Sequence, residues 1–188
     1  MNKLFYLTPI LFASVLLFPK SAKANKELDS VSTKNNGLGY SAANIDFDKI
    51  YGFSESEFQG QLHLLDANVI FVLQKLRSKI GRIQVSPAYG AIARTDGSKT
   101  TMHYANLKDN VLSLAIDIMP IDADLKTAYK AAKEIKEIGA VGVYPDWKPR
   151  AGLHIDLRDR KANSSIAEWS GLATAQGQIY RSVNEGFA

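Results

Sequence analysis

The sequence predicts an α+β domain in which helices pack on one face of a mainly antiparallel sheet. Three observations lead there. Residues 62–80 and 123–138 carry apolar side chains at steps of three and four, the spacing of an amphipathic helix stripe. Residues 112–119 and 153–158 alternate with a period of two, as half-buried strands do. The order helix, strand, loop, strand, helix, hairpin lacks the strict alternation of βαβ units, which favours an antiparallel arrangement.

The first 24 residues read as an export signal. Met1-Asn2-Lys3 is a short basic start, residues 4–18 are largely apolar, and Ala22-Lys23-Ala24 places small residues where a signal peptidase cuts. The apolar run is shorter than the roughly 20 residues that span a bilayer and contains Pro9, so a stable membrane anchor after cleavage is not expected. This points to a periplasmic or secreted protein. Residues 25–44, rich in Ser, Asn, Lys and Gly, read as a flexible lead-in. Residues 45–188 are then a single domain with a C-terminal extension.

Within that domain, Ser54 to Glu57 has the form of a capping box, with Phe53 placed to staple onto Phe58. The first helix stripe is Leu62, Leu65, Val69, Leu73, Leu76 and Ile80, stopped by Gly81, with His63 an ordinary residue beside it. Residues 83–85 suit a short strand, broken by Ser86-Pro87. A long polar loop then runs to about residue 112, and long loops in compact domains are more often functional than not. The strand at 112–119 turns Leu112, Leu114, Ile116 and Ile118 one way and Asp117 the other. The second helix carries Leu125, Tyr129, Ala132, Ile135 and Ile138 and ends at Gly139. Residues 141–144 and 153–158 form an antiparallel pair across a turn, and the tail adds a helix or turn.

Composition narrows the chemistry. Apolar residues make up 46% and charged residues 22% of the 188, an ordinary globular balance. The net charge of +4 owes much to Lys3, Lys20 and Lys23; without them 20 basic side chains face 19 acidic ones. No Lys/Arg cluster with interleaved aromatics is present, so nucleic acid is not an expected partner. With no cysteine, thiol nucleophiles are excluded, and any metal must be held by nitrogen and oxygen. No GxSxG elbow, Walker loop or GxGxxG occurs.

What remains is a polar strand face. His154, Asp156 and Arg158 share one side of their strand, Asp117 lies on the corresponding side of another, and His103 precedes that second strand in the loop. Two imidazoles and a carboxylate are a common set for catalytic Zn²⁺, with a fourth position open to water. Such a site also needs a base. Asp156, two residues along the strand from His154, is one candidate and could instead orient an imidazole. Asp146, in the preceding turn, is the other. Arg94 is placed to bind a substrate carboxylate or an oxyanion. Tyr144 and Trp147 stand where they line a cleft or cap the core, and Arg158 is expected to pair with an acid.

These residues resemble the zinc D-Ala-D-Ala carboxypeptidase-type peptidases, which cut bacterial cell-wall peptides and share a fold with the hedgehog signalling domain. The resemblance spans residues 53–158. It rests on Phe53 to Phe58, Thr101-Met102-His103, Ala115-Ile116-Asp117, and above all Gly142-Val143-Tyr144-Pro145 followed by His154-Ile155-Asp156-Leu157-Arg158. It implies a hedgehog-like fold, His103, Asp117 and His154 as zinc ligands, and peptidoglycan peptides as substrate, with the cut at a terminal D-Ala or a cross-link left open. Two departures stand out. Fourteen residues, twice the usual interval, separate His103 from Asp117, and Ala151 occupies the place where many members carry their general base. The alternative is a non-catalytic module of the same fold that binds zinc or wall peptide.

Overall fold

The computed structural model describes residues 40–50, 52–160, 163 and 165–188. The expected export signal, and residues 25–39 of the expected lead-in, lie outside them. Among the described residues no helix is long and apolar enough to cross a membrane.

The architecture is α+β. Among the described residues, six strands form one mixed sheet: β1 (Ile83–Val85), β2 (Ala115–Pro120), β3 (Ala140–Tyr144), β4 (Gly152–Asp156), β5 (Ala167–Thr174) and β6 (Gly177–Arg181), in the order β1-β2-β4-β3-β5-β6. β3 and β5 run parallel, and the other neighbouring pairs are antiparallel. Two α-helices accompany the sheet, α1 (Ala67–Ile80) and α2 (Leu125–Lys133). Strand alternation sends Ile116 and Ile118 of β2, Val141 and Val143 of β3, and Leu153 and Ile155 of β4 to one face. There they join Leu73, Leu76 and Ile80 of α1 and Ala128, Tyr129 and Ala132 of α2 in one apolar cluster. Each fully buried aliphatic side chain of this kind stabilises the fold by about 1.5–3 kcal/mol.

Several boundaries differ from those expected. α1 begins at Ala67, not residue 62, because Leu62–Leu64 makes a separate 3-10 turn, Leu65 is extended and Asp66 caps the helix through Asn68 N. α2 begins at Leu125 behind the Asp124 cap and ends at Lys133, not 138. Beyond it, the Arg160 guanidinium collects the carbonyls of Lys133, Ile135 and Ile138, so Ile135 and Ile138 stay buried outside the helix. The Ser54–Glu57 capping box forms, but it opens a 3-10 turn, Glu55–Phe58; the Phe53 and Phe58 rings pack 6.0 Å apart. β2 starts at Ala115, not 112, and β4 ends at Asp156, not 158. The last residues of the expected lead-in are docked. Ala42 is fully buried and donates to Leu65 O, while Ala67 N donates to Tyr40 O.

The tail departs most from expectation. It is a β-hairpin, β5–β6, followed by a 3-10 turn, Val183–Phe187. Because β5 pairs with β3, the hairpin widens the face of the sheet opposite the helices.

Candidate metal centre

The face turned away from the helices carries the candidate site. β4 lies between β2 and β3, and His154 sits at its midpoint, directly opposite Asp117 on one side and Gly142 on the other. Register alone therefore brings Asp117 and His154 together. His103 arrives from the long loop. Arg94 N donates to His103 O at 2.7 Å, Ala105 N to Arg94 O at 2.8 Å, and Leu114 N to Met102 O at 2.9 Å. These bonds strap the segment around His103 to the start of β2. Between His103 and Asp117 the chain makes an excursion closed at its neck, where Asn106 and Val111 exchange two backbone hydrogen bonds.

Asp117 Oδ1 lies 3.0 Å from His154 Nδ1 and 3.2 Å from His103 Nε2, and the two nitrogens are 3.0 Å apart. All three residues are buried. The far nitrogen of each ring is turned to a second acceptor. His154 Nε2 meets Asp156 Oδ2 at 3.0 Å, and His103 Nδ1 lies 3.5 Å from Ile92 O. That carbonyl is itself held by the buried Ser113 hydroxyl at 2.7 Å. A carboxylate on the far ring nitrogen fixes a tautomer whose lone pair faces inward.

Three donor atoms this close favour a shared proton or cation among them. In the metal-free protein a proton meets part of that need. Burial disfavours a charged His154, but the hydrogen bonds and charges of Asp117 and Asp156 outweigh it and push its pKa up to about 9. Burial likewise opposes ionisation of Asp117, yet the bonds from His103 and His154 hold its carboxyl below the usual range. The triangle also has the size of a metal site. A tetrahedral zinc with bonds of about 2.0–2.1 Å sets its ligand atoms about 3.3 Å apart. The buried His103–Asp117–His154 group could thus hold a metal ion.

The other expected site residues take different positions. Asp156 is fully buried and is no free base: its oxygens bind His154 Nε2 and the Arg158 Nε and Nη2 groups. Burial opposes its charge, but His154 and Arg158 bring its pKa down to about 2, which leaves it a poor proton acceptor. Its hydrogen bond to His154 Nε2 suits the other role considered for it, orienting the ring, and Arg158 pairs with it as expected. Asp146 is exposed, and its Oδ2 accepts from Ala173 N at 2.9 Å, so it ties the β3–β4 turn to the β5–β6 hairpin. Arg94 supports His103 through its backbone while its side chain bends back to donate to Gly90 O; among the described residues no ion pair or hydrogen bond joins its guanidinium to the three donors. Tyr144 and Trp147 stack with centroids 4.1 Å apart on the site face of the sheet.

One neighbour escaped the sequence reading. The Trp169 ring, from β5, lies 5.3 Å from that of His154. The available signal was Gly142, a glycine between Val141 and Val143 in a strand, which marks close approach of another group.

Comparison with family models, with curated proteins and with solved structures found no match to this chain.

Proposed function

We propose that His103, Asp117 and His154 form a zinc centre, and that the chain is an exported zinc-dependent peptidase hydrolysing cell-wall peptides in the periplasm or outside the cell. The observation that carries the metal reading is the triangle of buried donors with 3.0–3.2 Å edges. The peptidase and its peptidoglycan substrate rest on the resemblance of residues 53–158 to the D-Ala-D-Ala carboxypeptidase-type enzymes, whose hedgehog-like fold is part of the same proposal. Export rests on the first 24 residues.

When bound, zinc supplies Lewis-acid chemistry and the activation of water. The chain's own residues do the rest. Asp156 holds His154 with Nδ1 inward, and Arg158 holds Asp156. Tyr144 and Trp147 offer an aromatic wall to the substrate on the same sheet face.

A specific observation favours a second reading, a metal-binding module without catalysis. The two candidate bases, Asp156 and Asp146, are both engaged in holding the structure, and Ala151 supplies no acid. One experiment separates the readings. Purified protein with Zn²⁺ should release free amino groups from peptidoglycan, and a chelator should abolish the release. One equivalent of bound zinc with no release would establish the module instead.

A further inference from the structure

We propose that Trp169 is a positioning residue of the metal centre: its indole, laid across Gly142, walls His154 into the orientation that presents Nδ1 to the metal. The inference rests on the zinc-centre reading and adds to it a residue from the C-terminal hairpin.

The placement follows from three strands in register. His154 on β4 faces Gly142 on β3, and Gly142 faces Trp169 on β5. A side chain at position 142 would stand between the imidazole and the indole. A Cβ built there falls 2.6 Å from Trp169 Cε2 and 2.7 Å from Nε1, closer than real contacts allow. Only glycine lets the indole cross β3. Trp169 is then held from three directions. Its Nε1 donates to the Tyr144 hydroxyl at 3.0 Å, its ring lies 5.3 Å from that of His154, and the Arg158 guanidinium sits 5.8 Å from its centroid. The neighbouring rings repeat the device, with Tyr144 against Gly171 and Trp147 against Gly152.

The consequence for His154 is steric and electrostatic. Asp117 and His103 flank its ring on the β2 side, and Trp169 closes the β3 side, so the ring cannot swing away from the cluster. The indole touches both ends of the His154–Asp156–Arg158 chain of hydrogen bonds. The Arg158 contact adds a cation–π attraction.

The test measures Zn²⁺ affinity of the full chain by competition with a chromophoric chelator, together with the visible spectrum of the Co²⁺-loaded protein, which reports ligand geometry. Outer groups that orient a ligating histidine typically contribute about 10–100-fold to metal affinity, so Trp169→Ala should weaken Zn²⁺ binding by about tenfold or more and alter the Co²⁺ bands. Gly142→Ala, which dislodges the indole, should do the same in the parent chain and add nothing in a Trp169→Ala background. Trp169→Phe keeps a ring on Gly142 and should bind like the parent. If Trp169→Ala does not fold, Trp169→Leu and Gly142→Ala decide. Parent-like affinity and unchanged Co²⁺ bands in both Gly142→Ala and the Trp169 truncation would overturn the proposal while leaving the zinc reading intact. Failure of the parent chain to take up one equivalent would overturn the zinc reading and this inference with it.

Discussion

Asp117 and His154 stand directly opposite each other on β2 and β4, with Oδ1 3.0 Å from Nδ1. The same register puts Ile116 opposite Ile155 and Ile118 opposite Leu153 on the other face, where all four are buried. A slip of one residue would turn Asp117 into the apolar core and bring an isoleucine to His154. Burial of the core therefore sets the geometry of the site.

Asp117→Asn preserves shape and removes the charge. We expect zinc uptake to fall by at least about 100-fold, because an amide oxygen is a much poorer ligand than a carboxylate. The metal-free protein should also melt lower at neutral pH, since a protonated His154 loses a partner. Equilibrium dialysis and calorimetry check the two effects, and a variant that still binds one tight equivalent would remove Asp117 from the centre.

The pH dependence follows from His154. Its pKa stands near 9 in the metal-free fold, above the ordinary 6.5, so its pairing with Asp117 and Asp156 contributes fully below about pH 6.5. That contribution declines as pH rises through 9. Metal-free protein should lose melting temperature across this window, and His154→Gln should flatten the slope. Zinc competes with the same proton, so its affinity should rise over the same interval. A melting temperature of the metal-free protein that climbs from pH 6.5 to 9 would contradict the assignment.

Asp156→Ala and Asp146→Ala should behave differently. The first frees His154 Nε2 and leaves Arg158 without its partner, and zinc affinity should drop about 10–100-fold. The second removes one exposed hydrogen bond to Ala173 and should cost about 0.5–1.5 kcal/mol with zinc affinity unchanged. Chelator competition and urea denaturation give both numbers. Full zinc binding with complete loss of peptide hydrolysis in Asp146→Ala would instead make Asp146 a participant in the reaction.

Leu153→Ala empties a fully buried position beneath the site. The cavity should destabilise the protein by about 2–5 kcal/mol, read from denaturant midpoints. The folded fraction should still bind metal, because Leu153 points away from the three donors. Loss of binding in the folded fraction would show that the core face tunes the site directly.

Elements whose pattern is local were legible before any coordinates. The alternation around Ile116 and Ile155, the β3–β4 hairpin and the apolar stripe from Val69 to Ile80 all follow from side-chain period. The helix ends were not legible. α2 stops at Lys133, where Arg160, remote in sequence, takes the carbonyl of that residue and those of Ile135 and Ile138 beyond it, and α1 waits for the Asp66 cap behind a separate turn. Asp156 looked as suited to proton transfer as to orienting a ring, because spacing says nothing of what occupies its two oxygens.

The chain's pattern of apolar and polar residues by itself determined an α+β domain and nominated His103, Asp117 and His154, since period and donor type are local properties. Tertiary structure alone decided that the three meet in one triangle, that Asp156 and Asp146 are bound to other partners, and that Trp169 reaches His154 across Gly142. Those outcomes depend on which strands become neighbours, and strand order is a long-range choice made by burial of the whole core.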